Sequence, residues 1–125
     1  MKKIFLGLLT LLCLSLISCA VDEGQIIINN DTDRVYNYIK IGDPGDDDNM
    51  IDQSIKDFGN SNGDESKYLE CTVETGDYLI YLGIQKEDSK NQYDWYKYKE
   101  TVDVEADDKI IIKATDFSPV DEPEI

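Results

Sequence analysis

Twenty-seven carboxylates, eight tyrosines, one tryptophan, three cysteines and no histidine are what this 125-residue chain can do chemistry with. Without histidine, the usual general base at neutral pH and the commonest zinc ligand are both missing. No glycine-rich phosphate loop follows a strand-like run, and no Gly-x-Ser-x-Gly nucleophile turn occurs. Paired acids of the glycosidase kind are available in number, but they also need a substrate cleft, for which this length leaves little room. The expectation is a protein that is not an enzyme.

Two constellations suit binding instead. Asp43, Asp46, Asp47, Asp48, Asn49 and Asp52 form the densest cluster of oxygen ligands. Calcium takes about six to eight oxygens from flexible loops, so this stretch is the candidate Ca2+ site. Its spacing is not that of an EF-hand, because no glycine or closing glutamate stands where that loop needs one. Asn29-Asn30-Asp31-Thr32-Asp33 also offers oxygens at alternate positions and lacks the same glycine. The simpler reading of both is solvated turns on an acidic protein. Tyr93 and Trp95, flanked by Asp94 and Lys97, are the candidate aromatic platform for a sugar ring or a peptide, which Tyr36 and Tyr38 would extend. The simpler alternative is cross-strand packing, since strands favour aromatics whatever their function. Cys71 shares parity with Leu69 and Val73 and reads as a small buried hydrophobe. Asn30-Asp31-Thr32 matches a glycosylation sequon.

The elements that must position these residues are short and alternate with period two. Gln25-Ile26-Ile27-Ile28-Asn29 is a β-branched run stopped by a turn-rich cluster. From Arg34 to Ile41, Val35, Ile39 and Ile41 fall on one parity, and Tyr36, Tyr38 and Lys40 on the other. Gly42 to Asn49 has the composition of a loop, and Met50 to Asp57 suits an edge strand or one helical turn. Leu69, Cys71 and Val73 point inward, as do Tyr78, Ile80, Leu82 and Ile84 on the best strand of the chain. Tyr93 to Val104 alternates again, with Tyr96, Tyr98, Val102 and Val104 on one side and Trp95, Lys97, Lys99 and Thr101 on the other. Lys109 to Thr115 forms the last strand. Phe117 to Ile125, with two prolines and three glutamate or aspartate residues beyond Val120, reads as a loose tail. The pattern predicts an all-β fold, a single antiparallel β-sandwich of about seven strands.

Ahead of this domain, Lys2 and Lys3 precede Ile4 to Ile17, fourteen residues without a charge. A membrane-spanning helix needs roughly 20 apolar residues, so this is a helical signal-peptide segment rather than a span. It closes on Leu16-Ile17-Ser18-Cys19, which resembles the lipobox of bacterial lipoproteins. The resemblance implies cleavage after Ser18, a diacylglyceryl group on Cys19 and a stable membrane anchor, since two or more acyl chains hold firmly where one does not. The alternative is an ordinary secretory signal cut near Ser18-Cys19-Ala20. The expected organisation is a leader at residues 1–18, a lipidated tether at 19–24, the sandwich at 25–115 and a flexible acidic tail at 116–125. The expected location is the cell membrane or outer membrane, facing away from the cytoplasm.

Removing the leader leaves 107 residues, enough for one small domain. Ten basic residues then stand against 27 acidic ones, a net charge of −17. That charge argues against nucleic acid as a partner, because phosphate binding depends on lysine and arginine. Cys13 leaves with the leader and Cys19 carries lipid, so Cys71 has no disulfide partner within the chain. The order Ile-Ile-Asn-Asn, an aliphatic strand, a glycine-rich loop, Val73-Glu74-Thr75-Gly76-Asp77-Tyr78 and a late Val-x-Val before an acidic turn is similar to small Ig-like or transthyretin-like domains of cell-envelope lipoproteins. The likeness spans about Gly24 to Thr115 and implies an accessory or binding module; the expected partner is an unknown protein or glycan. It carries over no catalytic residues.

Overall fold

A computed structural model describes residues 22–59, 67–87 and 91–125, and the backbone alone for residues 46–49. The leader, the Leu16-Ile17-Ser18-Cys19 motif and the first half of the tether, residues 19–21, lie outside the described residues. Alternating β-branched and aromatic residues bury one face of a pleated strand and wet the other. Among the described residues the chain answers this pattern with nine strands, two more than the sequence predicts. They are β1 (Glu23–Asn29), β2 (Val35–Asp43), β3 (Asp46–Gly59), β4 (Tyr68–Glu74) and β5 (Gly76–Gln85), then β6 (Tyr93–Tyr98), β7 (Val102–Val104), β8 (Lys109–Lys113) and β9 (Phe117–Val120). A single 3-10 turn at Ala114–Asp116 joins the last two.

Two sheets pack as a sandwich. The larger runs β9-β6-β5-β2-β3, with β7 pairing the first residues of β5; the smaller runs β4-β1-β8. Between them lie Ile26 and Ile28 of β1, Ile39 and Ile41 of β2, Tyr78, Ile80 and Leu82 of β5, and Cys71, Val73 and Ile112. The inward residues of β4 and β5 are those that alternation predicts.

Several boundaries differ from the sequence expectation. The first strand begins at Glu23, inside the predicted tether: Glu23 and Gly24 pair with Glu74 and Val73 of β4, and Gly24 passes so close to Val104 that a Cβ there would lie 2.6 Å from its Cγ1. Gly42 to Asn49 is a hairpin rather than a loop: β2 continues to Asp43, turns at residues 44–45 and returns as β3 from Asp46. The single strand expected over Tyr93 to Val104 breaks after Tyr98, so that β6 pairs the second half of β5 and β7 the first. The sandwich is not wholly antiparallel either. β8 pairs β1 in parallel, Ile26 opposite Ile110 and Ile28 opposite Ile112. The two strands lie far apart in sequence, so no hairpin fixes their relative direction.

The predicted loose tail is part of the fold. Phe117–Val120 form β9 against β6, and Phe117 is buried against Tyr98 with ring centroids 5.3 Å apart. Residues 121–125 then fold back over the outer face of the large sheet, where Lys40 Nζ donates to the main-chain oxygen of Ile125 at 3.0 Å and the Glu124 N–H to the Tyr81 hydroxyl at 3.1 Å. Two prolines and several acids suggest a solvated end, but the lysines and the tyrosine that hold it come from distant strands. β5 accordingly carries six consecutive buried residues, Tyr78 to Gly83: one face meets the core, and on the other the returning chain lies over Tyr81 and Trp95 over Gly83.

A buried asparagine fixes the opposite corner. Asn30 Nδ2 donates to the carbonyls of Arg34 (2.8 Å) and Phe58 (3.0 Å), and its Oδ1 accepts from the Thr32 N–H (3.0 Å) and hydroxyl (2.6 Å). Every side-chain polar atom is satisfied, as a buried amide requires. The neighbouring Asp31 accepts from both the N–H and the hydroxyl of Thr115. The sequon asparagine and its neighbour are therefore committed to the turn.

Candidate ligand-binding face

The outer face of the large sheet is built of cross-strand rows. In one row Val120, Trp95, Gly83 and Tyr38 stand opposite one another across β9, β6, β5 and β2; Tyr93 and Gln85 form the neighbouring pair toward one end. The row on the other side is Ser118, Lys97, Tyr81, Lys40 and Asp52.

Glycine at position 83 decides the shape of the first row. A Cβ there would meet Cζ3, Cε3 and Cη2 of Trp95 at 2.9, 3.1 and 3.3 Å. Three adjacent ring atoms at nearly one distance mean that the indole lies flat on the glycine; an edge-on ring would bring only one atom so near. Leaning across β5 in this way, Trp95 reaches Tyr38 on the next strand. Their centroids are 5.6 Å apart with planes at 88°, so Tyr38 stands as a wall beside the Trp95 floor. Tyr93 closes the group, 4.8 Å from Tyr38 and 5.4 Å from Trp95. The three rings are half-buried and continuous. The sequence-predicted pair Tyr93 and Trp95 is thus brought together, and Tyr38 joins it.

Tyr36 does not. Between Tyr36 and Tyr38 the pairing of β2 with β3 slips, Tyr36 standing opposite Phe58 but Tyr38 opposite Ser54. A bulge of this kind re-aims the side chains that follow it. Tyr36 therefore points into the core, fully buried and edge-on to Tyr96 at 5.6 Å, whereas Tyr38 points outward. The shared parity read from the sequence is broken at that point.

Electrostatics at the face are local. The Tyr38 hydroxyl donates to Asp52 Oδ1, and this bond, with burial and the carboxylate charge, pushes its pKa up to about 12. Lys40 Nζ lies 3.9 Å from the other Asp52 oxygen, Lys86 Nζ 3.8 Å from Asp94, and Lys97 Nζ 3.3 Å from Glu124. The rim of the aromatic group therefore offers carboxylates that can accept hydroxyl hydrogens. Elsewhere, burial alone raises the Cys71 thiol to about 11, which keeps it protonated and inert at neutral pH.

The candidate calcium residues do not form one loop. Asp43 sits at the hairpin turn, where its Oδ1 accepts from the Gly45 N–H at 2.8 Å. Asp52 lies three rungs farther along, opposite Lys40, roughly 10 Å away at the usual strand rise. The side chains of Asp46, Asp47 and Asp48 lie outside the described residues. Among the described residues, no three carboxylates or thiols converge in a metal-binding group. A shallow polar depression of about 380 Å³ lies at the start of β1, lined by residues including Glu23, Thr72, Asp108 and Lys109, and it has no aromatic wall.

No helix of the described residues is long and apolar enough to cross a membrane. Compared with models of known protein families, the chain matches none, and no curated protein matches it significantly.

Proposed function

We propose that the protein is a membrane-anchored lipoprotein of the cell envelope, held by lipid on Cys19 and acting as a non-enzymatic binding or structural module. The observation that carries the binding role is the continuous aromatic group of Tyr38, Tyr93 and Trp95 on the sheet face that turns away from the core. Anchoring at Cys19 would set the position of that group relative to the membrane. Glu23 begins β1 four residues after Cys19, a reach of at most about 14 Å. The start of β1 would therefore stand close to the membrane, beside Val104 and Gly76. Gly83, under Trp95, lies seven residues farther along β5, roughly 23 Å up the strand. The anchored pole carries Asp22, Glu23, Glu74, Asp77, Glu105, Asp107 and Asp108 beside Lys109, and such an acidic excess repels anionic headgroups and keeps the domain off the surface. The rings are presented outward.

The test is Cys19→Ser. The variant is expected to lose lipid labelling and to leave the membrane fraction while keeping the same β-rich circular dichroism. Retention in membranes would refute the anchor.

A second reading is a carbohydrate-binding domain or calcium-dependent adhesin, and the aromatic geometry favours its carbohydrate half. A floor ring with a perpendicular wall suits the apolar face of a sugar, carboxylates at the rim suit its hydroxyls, and a mature charge of −17 selects against anionic glycans. Trp95 is the sole tryptophan, so titration with neutral oligosaccharides should quench or shift its emission. An unchanged spectrum across the panel rejects this reading. A thermal midpoint that is the same with calcium and with chelator rejects the calcium half, because a specific site raises stability by mass action.

A further inference from the structure

Tyr81 is fully buried and Leu79 nearly so, yet neither belongs to the core between the sheets. They lie on the outer face, and the chain that shields them is residues 121–125. Its contacts are those of an extended peptide on a receptor: main-chain bonds for affinity and side-chain sites for selectivity. The Glu124 N–H donates to Tyr81 at 3.1 Å, and Lys40 Nζ donates to the oxygen of Ile125 at 3.0 Å. The Glu124 carboxylate takes Lys97 at 3.3 Å. Ile125 fills a notch left by Gly42, where a Cβ would sit 2.9 Å from its Cδ1.

We infer that the Lys97–Tyr81–Lys40 row, with the notch at Gly42, is a docking strip for an acidic extended segment, and that in a pair of molecules each strip takes residues 121–125 of the other copy. The occupant that fits the strip in atomic detail is this chain's own sequence. Its hold consists of one exposed ion pair and two hydrogen bonds, each contributing little net stability, and the Ile125 side chain seated at Gly42, and the same contacts form whichever copy supplies the segment. The segment departs from β9, an edge strand with one sheet neighbour, through the two-residue bend at Asp121 and Glu122 between Pro119 and Pro123. Short hinges of this kind favour exchange of an identical element between protomers. This inference goes beyond the anchoring and does not depend on it.

The test uses two full-length chains in mild detergent, one carrying Lys97→Glu and the other Glu124→Lys. Both positions are on the surface, so each chain should keep its fold by circular dichroism. Alone, either chain sets like charges against each other, within one copy and between identical copies. Mixed, each segment meets an opposite charge on its partner's strip. Native mass spectrometry is expected to show a mixed pair enriched about tenfold over either like pair, the effect of two exposed ion pairs. Adding Gly42→Val to both chains fills the notch and is expected to abolish the mixed pair. A mixture that stays monomeric, or mixed and like pairs in equal amounts, overturns the inference.

Discussion

Replacing Gly83 by alanine tests the packing on which the aromatic face rests. The added methyl would lie 2.9 Å from Trp95 Cζ3 and 3.1 Å from Cε3, closer than carbon atoms approach, so the indole must lift. Lifting it breaks its contacts with Tyr38 and Tyr93, each worth about 0.5–1.5 kcal/mol beyond simple burial. Alanine returns roughly 0.5–1 kcal/mol, because glycine in a strand interior loses more backbone freedom on folding. The expected net loss is about 1–2 kcal/mol, a fall in Tm of roughly 5–15 °C for a domain of this size. Trp95 is the only tryptophan, so its fluorescence reports the change without labelling, and the emission should move to longer wavelength as the ring gains solvent. A variant that melts at the wild-type temperature with an unshifted spectrum would mean that Trp95 does not rest on Gly83. The wall-and-floor geometry would fall with it.

Asn30→Ala leaves two carbonyls and the Thr32 N–H without their partner, and should cost about 2–4 kcal/mol in a thermal or urea melt; a loss below about 1 kcal/mol contradicts the pinned corner. Cys71 should react with a thiol reagent at pH 8 on the order of 100-fold more slowly in the folded protein than in denaturant, from its raised pKa alone; equal rates would place it at the surface. Tyr38 retains its proton in the folded state above the ordinary tyrosine value of 10.0. Its contribution to stability is therefore full below about pH 10 and lost as pH rises toward about 12. Asp52→Ala removes the acceptor, and phenolate absorbance should then show one tyrosine titrating earlier; an unchanged titration curve argues against the Tyr38–Asp52 bond.

What could be read in the sequence was whatever depends on local period. The inward residues of β5, the burial of Cys71 and the outward placing of Trp95 and Tyr93 follow from alternation, because the pleat sends successive side chains to opposite faces. Alternation fails where the ladder slips. The bulge between Tyr36 and Tyr38 sends one tyrosine to the core and the other to the surface, and nothing in their shared parity announces it. Long-range choices were equally hidden. The parallel pairing of β1 with β8 and the return of residues 121–125 over Lys97, Tyr81 and Lys40 depend on segments that meet only in the folded state. The role of Gly83 was silent for another reason: its meaning lies in the ring that covers it, which comes from Trp95 on the next strand.

How the chain is held is read directly by intact mass spectrometry of the protein extracted from membranes. The expected molecule begins at Cys19 and is heavier than its polypeptide by a diacylglyceryl group, with or without a further acyl chain. A polypeptide that keeps its leader, or one that begins at or near Cys19 without lipid, would contradict it.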